Sequence, residues 1–311
     1  MALDNISEMT LEECEKKLDE LLDSDDAKDE DIIALYAAMG DKAKEEGEFE
    51  KSKEYYMNAL TETLMKYGES SVEAGDAAMN AGNGLFNISD YETALEYYAK
   101  ALKTFKETSP DDCDRITMAM RNIGDCHFYS ENYEEAANCF TAAMDFLRTK
   151  KSEDDPEFYR LYSVMAETLS KMEKFEEALG YYKKGFDIKK KFVESDMDLM
   201  EDYEGIGKCC EKLGKNEEGI EAFSKIVKAI EETMPEMDFL AKEFQSHIDA
   251  MKDAMSKQRG CLSGRGFGAS ALFTSALQAF ASHPESASAP SGRRAGGHQR
   301  LDTRAHHPTV G

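Results

Sequence analysis

Small and aromatic residues alternate with polar ones in a register that recurs along most of the chain. Ser52, Ala94, Ala136, Ala178 and Gly219 stand at intervals of 42, 42, 42 and 41 residues. Three positions before each lies Phe49, Tyr91, Tyr133, Phe175 or Asn216; four after it lies Tyr56, Tyr98, Phe140, Tyr182 or Phe223. Seven after it come Ala59, Ala101, Ala143, Gly185 and Ile226. Offsets of three, four and seven share one face of an α-helix. Each stretch therefore predicts a helix, B, whose small residue admits a neighbouring helix and whose aromatic fills the space beside it. Twelve residues upstream run Gly40, Gly82, Gly124, Ala166 and Gly207, with Tyr36, Ala78, Met120, Tyr162 and Tyr203 four before them. That pattern predicts a partner helix, A. The polar joints EEGEFE, NISDYE and YSENYE are short enough that A and B fold back antiparallel. One hairpin cannot bury a core by itself, so about five in tandem predict an all-α stack, a solenoid.

The small residues at repeat positions 8, 20 and 27 and the aromatic at 24 resemble the tetratricopeptide repeat. The usual repeat has about 34 residues; this one has 42, the addition amounting to about two helical turns. In that longer form AMNAGNGLFNISDYETALEYYAKAL (78–102) is similar to repeats of the kinesin-light-chain type, over residues 32 to 230 or so. The resemblance implies a right-handed superhelical solenoid with helix A lining a concave groove.

Other segments punctuate this array. TLEECEKKLDELL (10–22) predicts an amphipathic capping helix with Leu11, Cys14, Leu18, Leu21 and Leu22 as its stripe and a capping box of Thr10 and Glu13. DSDDAKDED (23–31) is an acidic linker and fails as a calcium loop, having no glycine at loop position 6 and Ala34 in place of the bidentate glutamate. Pro110, Pro156 and Pro235 fall between repeats, near helix starts. DFLAKEFQSHIDAMKDAM (238–255) predicts a closing helix with Phe244, Ile248 and Met251 inward. The expected domains are thus 1–31, a cap and linker; 32–235, the repeats; 236–259, a closing helix; and 260–311, a disordered tail. Composition marks the last boundary. Residues 1–259 hold 28 Lys and 5 Arg against 61 acids, whereas the last 52 hold no Lys, 5 Arg and 2 acids. Within the tail, ASALFTSALQAFA (269–281) keeps helical spacing and is expected to be a transient helix.

Net charge is −25, which repels phosphate backbones and anionic lipid surfaces, so neither nucleic acid nor membrane is the expected partner. No run approaches the ~20 apolar residues of a spanning helix. The opening MALDNISEMTLEE is acidic and lacks the order of a signal peptide, making the cytoplasm the expected compartment. Seven cysteines (Cys14, Cys113, Cys126, Cys139, Cys209, Cys210 and Cys261) have no disulfide-framework spacing and are expected as free thiols. No phosphate-binding glycine loop, HExxH, GxSxG or CxxC is present. Adjacent Cys209 and Cys210 point about 100° apart on a helix, a poor metal pair. His127 stands where Leu85 and Leu169 stand in neighbouring repeats and is expected to pack. The reading is non-catalytic, without cofactor or metal.

Chemistry remains on helix A. The groove positions of the resemblance fall on Asp76, Met79, Asn80, Asn83, Phe86 and Asn87, then on Met118, Arg121, Asn122, Asp125, Phe128 and Tyr129. They continue through Arg160, Ser163, Val164, Glu167, Ser170 and Lys171 to Glu201, Glu204, Lys208, Glu211 and Lys212. Asparagine is a mediocre helix former, so Asn80, Asn83, Asn87 and Asn122 together call for a reason. A carboxamide both donates and accepts, as an extended peptide backbone requires; in the kinesin-light-chain type, asparagines at the position of Asn80 and Asn122 serve this way. Phe86, Phe128 and Tyr129 would form apolar pockets, with Arg121 and Arg160 available to an acidic side chain. Asp125 completes the candidate set. The expected function is an adaptor holding an extended peptide, centred on the second and third hairpins. Two alternatives stand beside it: a structural subunit of a cytoskeletal, ciliary or other assembly, and a chaperone co-factor. For the latter the carboxylate clamp is incomplete, because Ala34, Ala38 and Val164 occupy clamp positions. The sequence assigns no partner identity or oligomeric state.

Overall fold

The computed structural model describes residues 6–24 and 27–280, with side chains as far as 259. The chain divides into two compact units, Met1–Ser256, which carries the helical hairpins, and Lys257–Gly311. After a short 3-10 turn, α1 (Leu11–Leu22) packs on α2 (Asp29–Glu45). Antiparallel pairs then succeed one another: α2 with α3 (Phe49–Tyr67), α4 (Val72–Asn87) with α5 (Tyr91–Thr108), and α6 (Cys113–Tyr129) with α7 (Tyr133–Arg148). Next come α8 (Pro156–Lys171) with α9 (Phe175–Lys189) and α10 (Met200–Leu213) with α11 (Asn216–Thr233), before α12 (Asp238–Phe280). No strand occurs among the described residues, and no helix there is long and apolar enough to cross a membrane.

The sequence register is realised as packing between the two helices of each hairpin. Ser52, Ala94, Ala136 and Ala178 are fully buried, and Tyr56, Tyr98, Phe140 and Phe223 are within 2% of it. A β-carbon added to Gly82 would come 2.6 Å from the Tyr98 ring, and one added to Gly124 would come 2.5 Å from Phe140. Helices A and B therefore touch ring against bare backbone, closer than any other residue permits. The fourth hairpin departs from the rule. Ala166 stands at the glycine position, and the half-buried ring of Tyr182 lies against Gly205 of α10, in the next hairpin.

Every A–B joint contains one residue in the left-handed region: Gly47 (φ 79°), Ser89 (64°), Glu131 (61°), Glu173 (58°) and Gly214 (70°). A left-handed residue reverses the chain within the joint. Only two of the five are glycine.

The termini match the capping expectation in detail. Thr10 accepts from the Glu13 amide at 3.3 Å, and the Thr10 amide donates to Glu13 Oε2 at 2.8 Å. Leu11, Cys14 and Leu18 are buried against Leu35, Met39 and Ala43. Leu22 is 56% exposed, a correction to the predicted stripe; it sits one residue, hence about 100°, beyond half-buried Leu21, so only one of the two can face the core. Phe244, Ile248 and Met251 of α12 are buried at the other end, as expected. The α12 backbone continues to Phe280, past the composition break at Gly260. Side chains of 260–280, including Cys261 and the helical stretch of the tail, and all of 281–311 lie outside the described residues.

Ion pairs tie the two ends of the third hairpin, Lys150–Asp111 (2.9 Å) and Lys151–Asp114 (2.6 Å), and of the fourth, Lys191–Asp154 (2.6 Å), while Lys215–Glu176 (3.0 Å) joins the fifth hairpin to the fourth. Such pairs contribute little individually.

Candidate functional site

With one face of each A helix committed to its B partner, the opposite faces of α6, α8 and α10 border a hollow of about 880 Å³. Arg160, Ser163, Val164, Glu167, Ser170, Lys171, Glu201, Glu204, Lys208, Glu211 and Lys212 all line it, as the helix-A register expects. Arg121 and Asp125 close one end and His247 of α12 the other. Two smaller hollows continue the same face. One of about 280 Å³ is bordered by Lys44, Asn83, Phe86, Asn87, Tyr98, Met118, Arg121, Asn122 and Asp125. The other, of about 320 Å³, reaches Arg115, Arg121 and Arg160.

The candidate residues divide into three groups. Asn83, Phe86, Asn87, Arg121, Asn122 and Asp125 come together around the 280 Å³ hollow. Arg160 stands apart, between the 880 Å³ and 320 Å³ hollows. Asn80, Phe128 and Tyr129 border none of the three. Phe128 and Tyr129 instead join Phe86, Tyr91 and Tyr133 in a chain of rings, with centroids 5.2–5.7 Å apart, at the joints of the second and third hairpins. Met79, placed on the groove by register, is 3% exposed and belongs to the core. It shares a buried cluster with Leu60 of α3, against which Met57 also packs. His127 is half-buried, not fully packed.

The asparagines are wired to one another. Asn83 Oδ1 accepts from the Tyr98 hydroxyl (2.9 Å) and from Asn122 Nδ2 (3.3 Å), while Asn122 Oδ1 accepts from Arg121 Nη2 (3.3 Å). Two donors remain without any: Asn87 Nδ2 and Arg121 Nε are buried and have no hydrogen-bond acceptor. Asp125 Oδ2 stands 3.8 Å from Arg121 Nε. Burial pushes the Asp125 carboxyl up to about 6 against the opposing pull of Arg121, with Glu167 adding to the rise. Glu167 is also shifted upward by burial. Deeper in the 880 Å³ hollow, Lys189 Nζ donates to the buried Asp202 carboxylate at 3.0 Å. His247 lies 3.1 Å from Glu211 and stacks on Phe223 at 5.2 Å.

Sequence reasoning missed Tyr159, Phe175, Tyr182, Lys189, Asp202, Gly205 and Cys209, which also line the large hollow. The hollow is largest over the third to fifth hairpins, one repeat further along than the asparagine-rich segment.

No group of three or more His, Cys, Asp or Glu suited to a metal ion occurs among the described residues. Burial pushes the thiols of Cys126 and Cys210 up to about 12 and about 11, which leaves them protonated and unreactive near neutrality.

Comparison with known proteins agrees with this architecture. A tetratricopeptide-repeat family model matches residues 73–149 and 115–191. Response regulator aspartate phosphatase I of Bacillus subtilis (strain 168) is 28% identical over 131 residues, 42% of this chain and 32% of that protein. The chain spans about a third of that relative. Among solved structures, a Rap protein complexed with competence and sporulation factor superimposes with TM-score 0.58 at 15% identity, covering 79% of this chain and 68% of that one. The nearly identical TPR-like repeats of a protein assigned as a kinesin light chain in Podosopora anserina give 0.55 at 9% identity, covering 65% and 96%. At these identities the structural likeness concerns the fold.

Proposed function

We propose that this chain, whose residues 73–149 and 115–191 match the tetratricopeptide-repeat model, is a non-catalytic adaptor that holds an extended peptide segment of another protein along the helix-A face. Arg121 carries this reading. One side chain borders all three hollows, and its Nε is buried without a hydrogen-bond acceptor. An orphaned buried donor is costly, by about 1–3 kcal/mol, unless a ligand supplies what is missing. A trough that continues over three A helices suits an extended chain better than a compact molecule. The Rap protein complexed with a factor supports the reading by analogy of fold only. Cytoplasmic residence belongs to the same proposal.

The test is affinity capture from cell extract with wild type, with Arg121→Ala plus Glu167→Ala in the trough, and with Glu134→Ala plus Glu177→Ala on the outer helices. Partners should disappear with the first pair alone, at unchanged helicity and melting. Capture that survives the trough pair and fails with the outer pair would instead favour a structural subunit bound by its convex surface.

A further inference from the structure

The joints leading from one hairpin to the next are residues 68–71, 109–112, 149–155 and 190–199, the last being the longest. Each holds a serine with acids around it. Carboxylates flanking a hydroxyl are what a protein kinase with a basic substrate groove selects. By composition alone Ser152 is the richest acceptor, with Glu153, Asp154 and Asp155 behind it. The fold commits all three: Glu153 pairs with Arg148 (2.7 Å) and Asp154 with Lys191 (2.6 Å), while Asp155 caps α8 through the Glu157 amide (3.0 Å). Ser70 and Ser109 stand in the shortest joints. One is closed by Ser71 Oγ donating to the Gly68 carbonyl (3.1 Å), the other by the Asp112 amide donating to the Ser109 carbonyl (2.9 Å).

Joint 190–199 differs on each count. The amides of residues 193–196 donate to nothing among the described residues, and the stretch 193–195 is irregular. Such a stretch can be drawn into a groove without breaking regular structure. Ser195 is exposed; its Oγ accepts from the Met197 amide (3.1 Å), and its hydroxyl proton is uncommitted. The Asp198 amide donates to the Ser195 carbonyl (3.2 Å), a turn that brings Asp198 back beside the serine. Glu194 and Asp198 are exposed, and their side chains make no ion pair or hydrogen bond among the described residues. Both carboxylates are therefore free to be read.

We propose that Ser195, whatever the trough holds, is a phosphorylation site for a protein serine kinase that selects flanking acids. Ser195 Oγ attacks the γ-phosphorus of magnesium-ATP held by the kinase. An Oγ–P bond forms, the bond to the bridging oxygen breaks with its electron pair leaving on ADP, and the serine proton passes to the kinase's catalytic aspartate. The test incubates the whole chain with magnesium-ATP and a purified acid-selecting kinase of the casein-kinase type. Intact mass follows incorporation, and peptide fragmentation maps the first phosphate. Ser195 should take it ahead of Ser152. Ser195→Ala should abolish this early phase, and Ser152→Ala should leave it unchanged. Glu194→Gln with Asp198→Asn removes two charges that hold nothing in the fold, and should slow the early phase about 10-fold. A first phosphate on Ser152 or on a helical serine, or no incorporation at all, overturns the inference. So does a rate indifferent to the loss of both flanking charges.

Discussion

Gly124→Ala and Gly180→Ala are the same chemical change with opposite expected outcomes. Both positions lie inside helices, where alanine is favoured over glycine by about 0.8–1 kcal/mol. At Gly180, exposed on α9, an added β-carbon meets nothing within 4 Å. The whole propensity gain should appear as stability. At Gly124 the new carbon would sit 2.5, 2.8 and 2.9 Å from three atoms of the Phe140 ring. That ring is fully buried, with no solvent to swing into. Overpacking of this kind costs about 1–3 kcal/mol, and a pinned ring belongs at the upper end. Subtracting the propensity gain leaves about 2 kcal/mol of destabilisation, or roughly 4–8 °C in Tm for a unit of this size. Calorimetry of both variants beside wild type reads the two signs directly, and urea melts with an unchanged m-value would show that cooperativity survives. Gly124→Ala at or above wild-type stability would refute the claim that ring-on-glycine contact fixes the repeat.

Other expectations concern the joints, the cap and the groove. Glu131→Gly should stabilise by up to about 1 kcal/mol, because a left-handed non-glycine residue costs about 1–2 kcal/mol and the entropic cost of glycine recovers only part of it; Gly214→Ala should destabilise by a similar amount, and thermal melts decide both. Thr10→Ala should cost about 1 kcal/mol, seen as faster proteolysis at α1 while the repeats hold. Asp125 has its folded pKa raised to about 6 from 3.8, so the folded state keeps a proton that the unfolded state releases. Stability should therefore fall as pH rises between those values and level off above. Asp125→Asn should melt higher than wild type above about pH 6, the gap closing toward about pH 4; a gap that widens on acidification would contradict the assignment.

Much of this fold is readable in the chain because its constraint is steric and periodic. A small residue under an aromatic at 42-residue intervals leaves few alternatives to stacked hairpins, and Thr10 with Glu13 announces the first helix. The left-handed joints were not readable at Ser89, Glu131 and Glu173, residue types with no signature for that conformation; only the chain reversal imposes it. Met79 and Leu22 show a second limit. Register assigns a face, but what the neighbouring helix packs there decides whether that face is covered. At the site, helix-A positions from Arg160 to Lys212 were legible, whereas Tyr182 and His247 enter the hollow through contacts between hairpins. The asparagines illustrate the same limit, since Asn83 and Asn122 spend their polar groups on each other and on Tyr98.

Whether a partner segment lies along the inner helices is tested most directly by photo-crosslinking. Benzoylphenylalanine is placed at Ser163, which lines the trough, or at Glu177, exposed on outer helix α9, and the full chain is irradiated in cell extract. A segment held in the trough predicts a partner adduct from Ser163 that Arg121→Ala with Glu167→Ala removes, and none from Glu177. Adducts from Glu177 alone would contradict it.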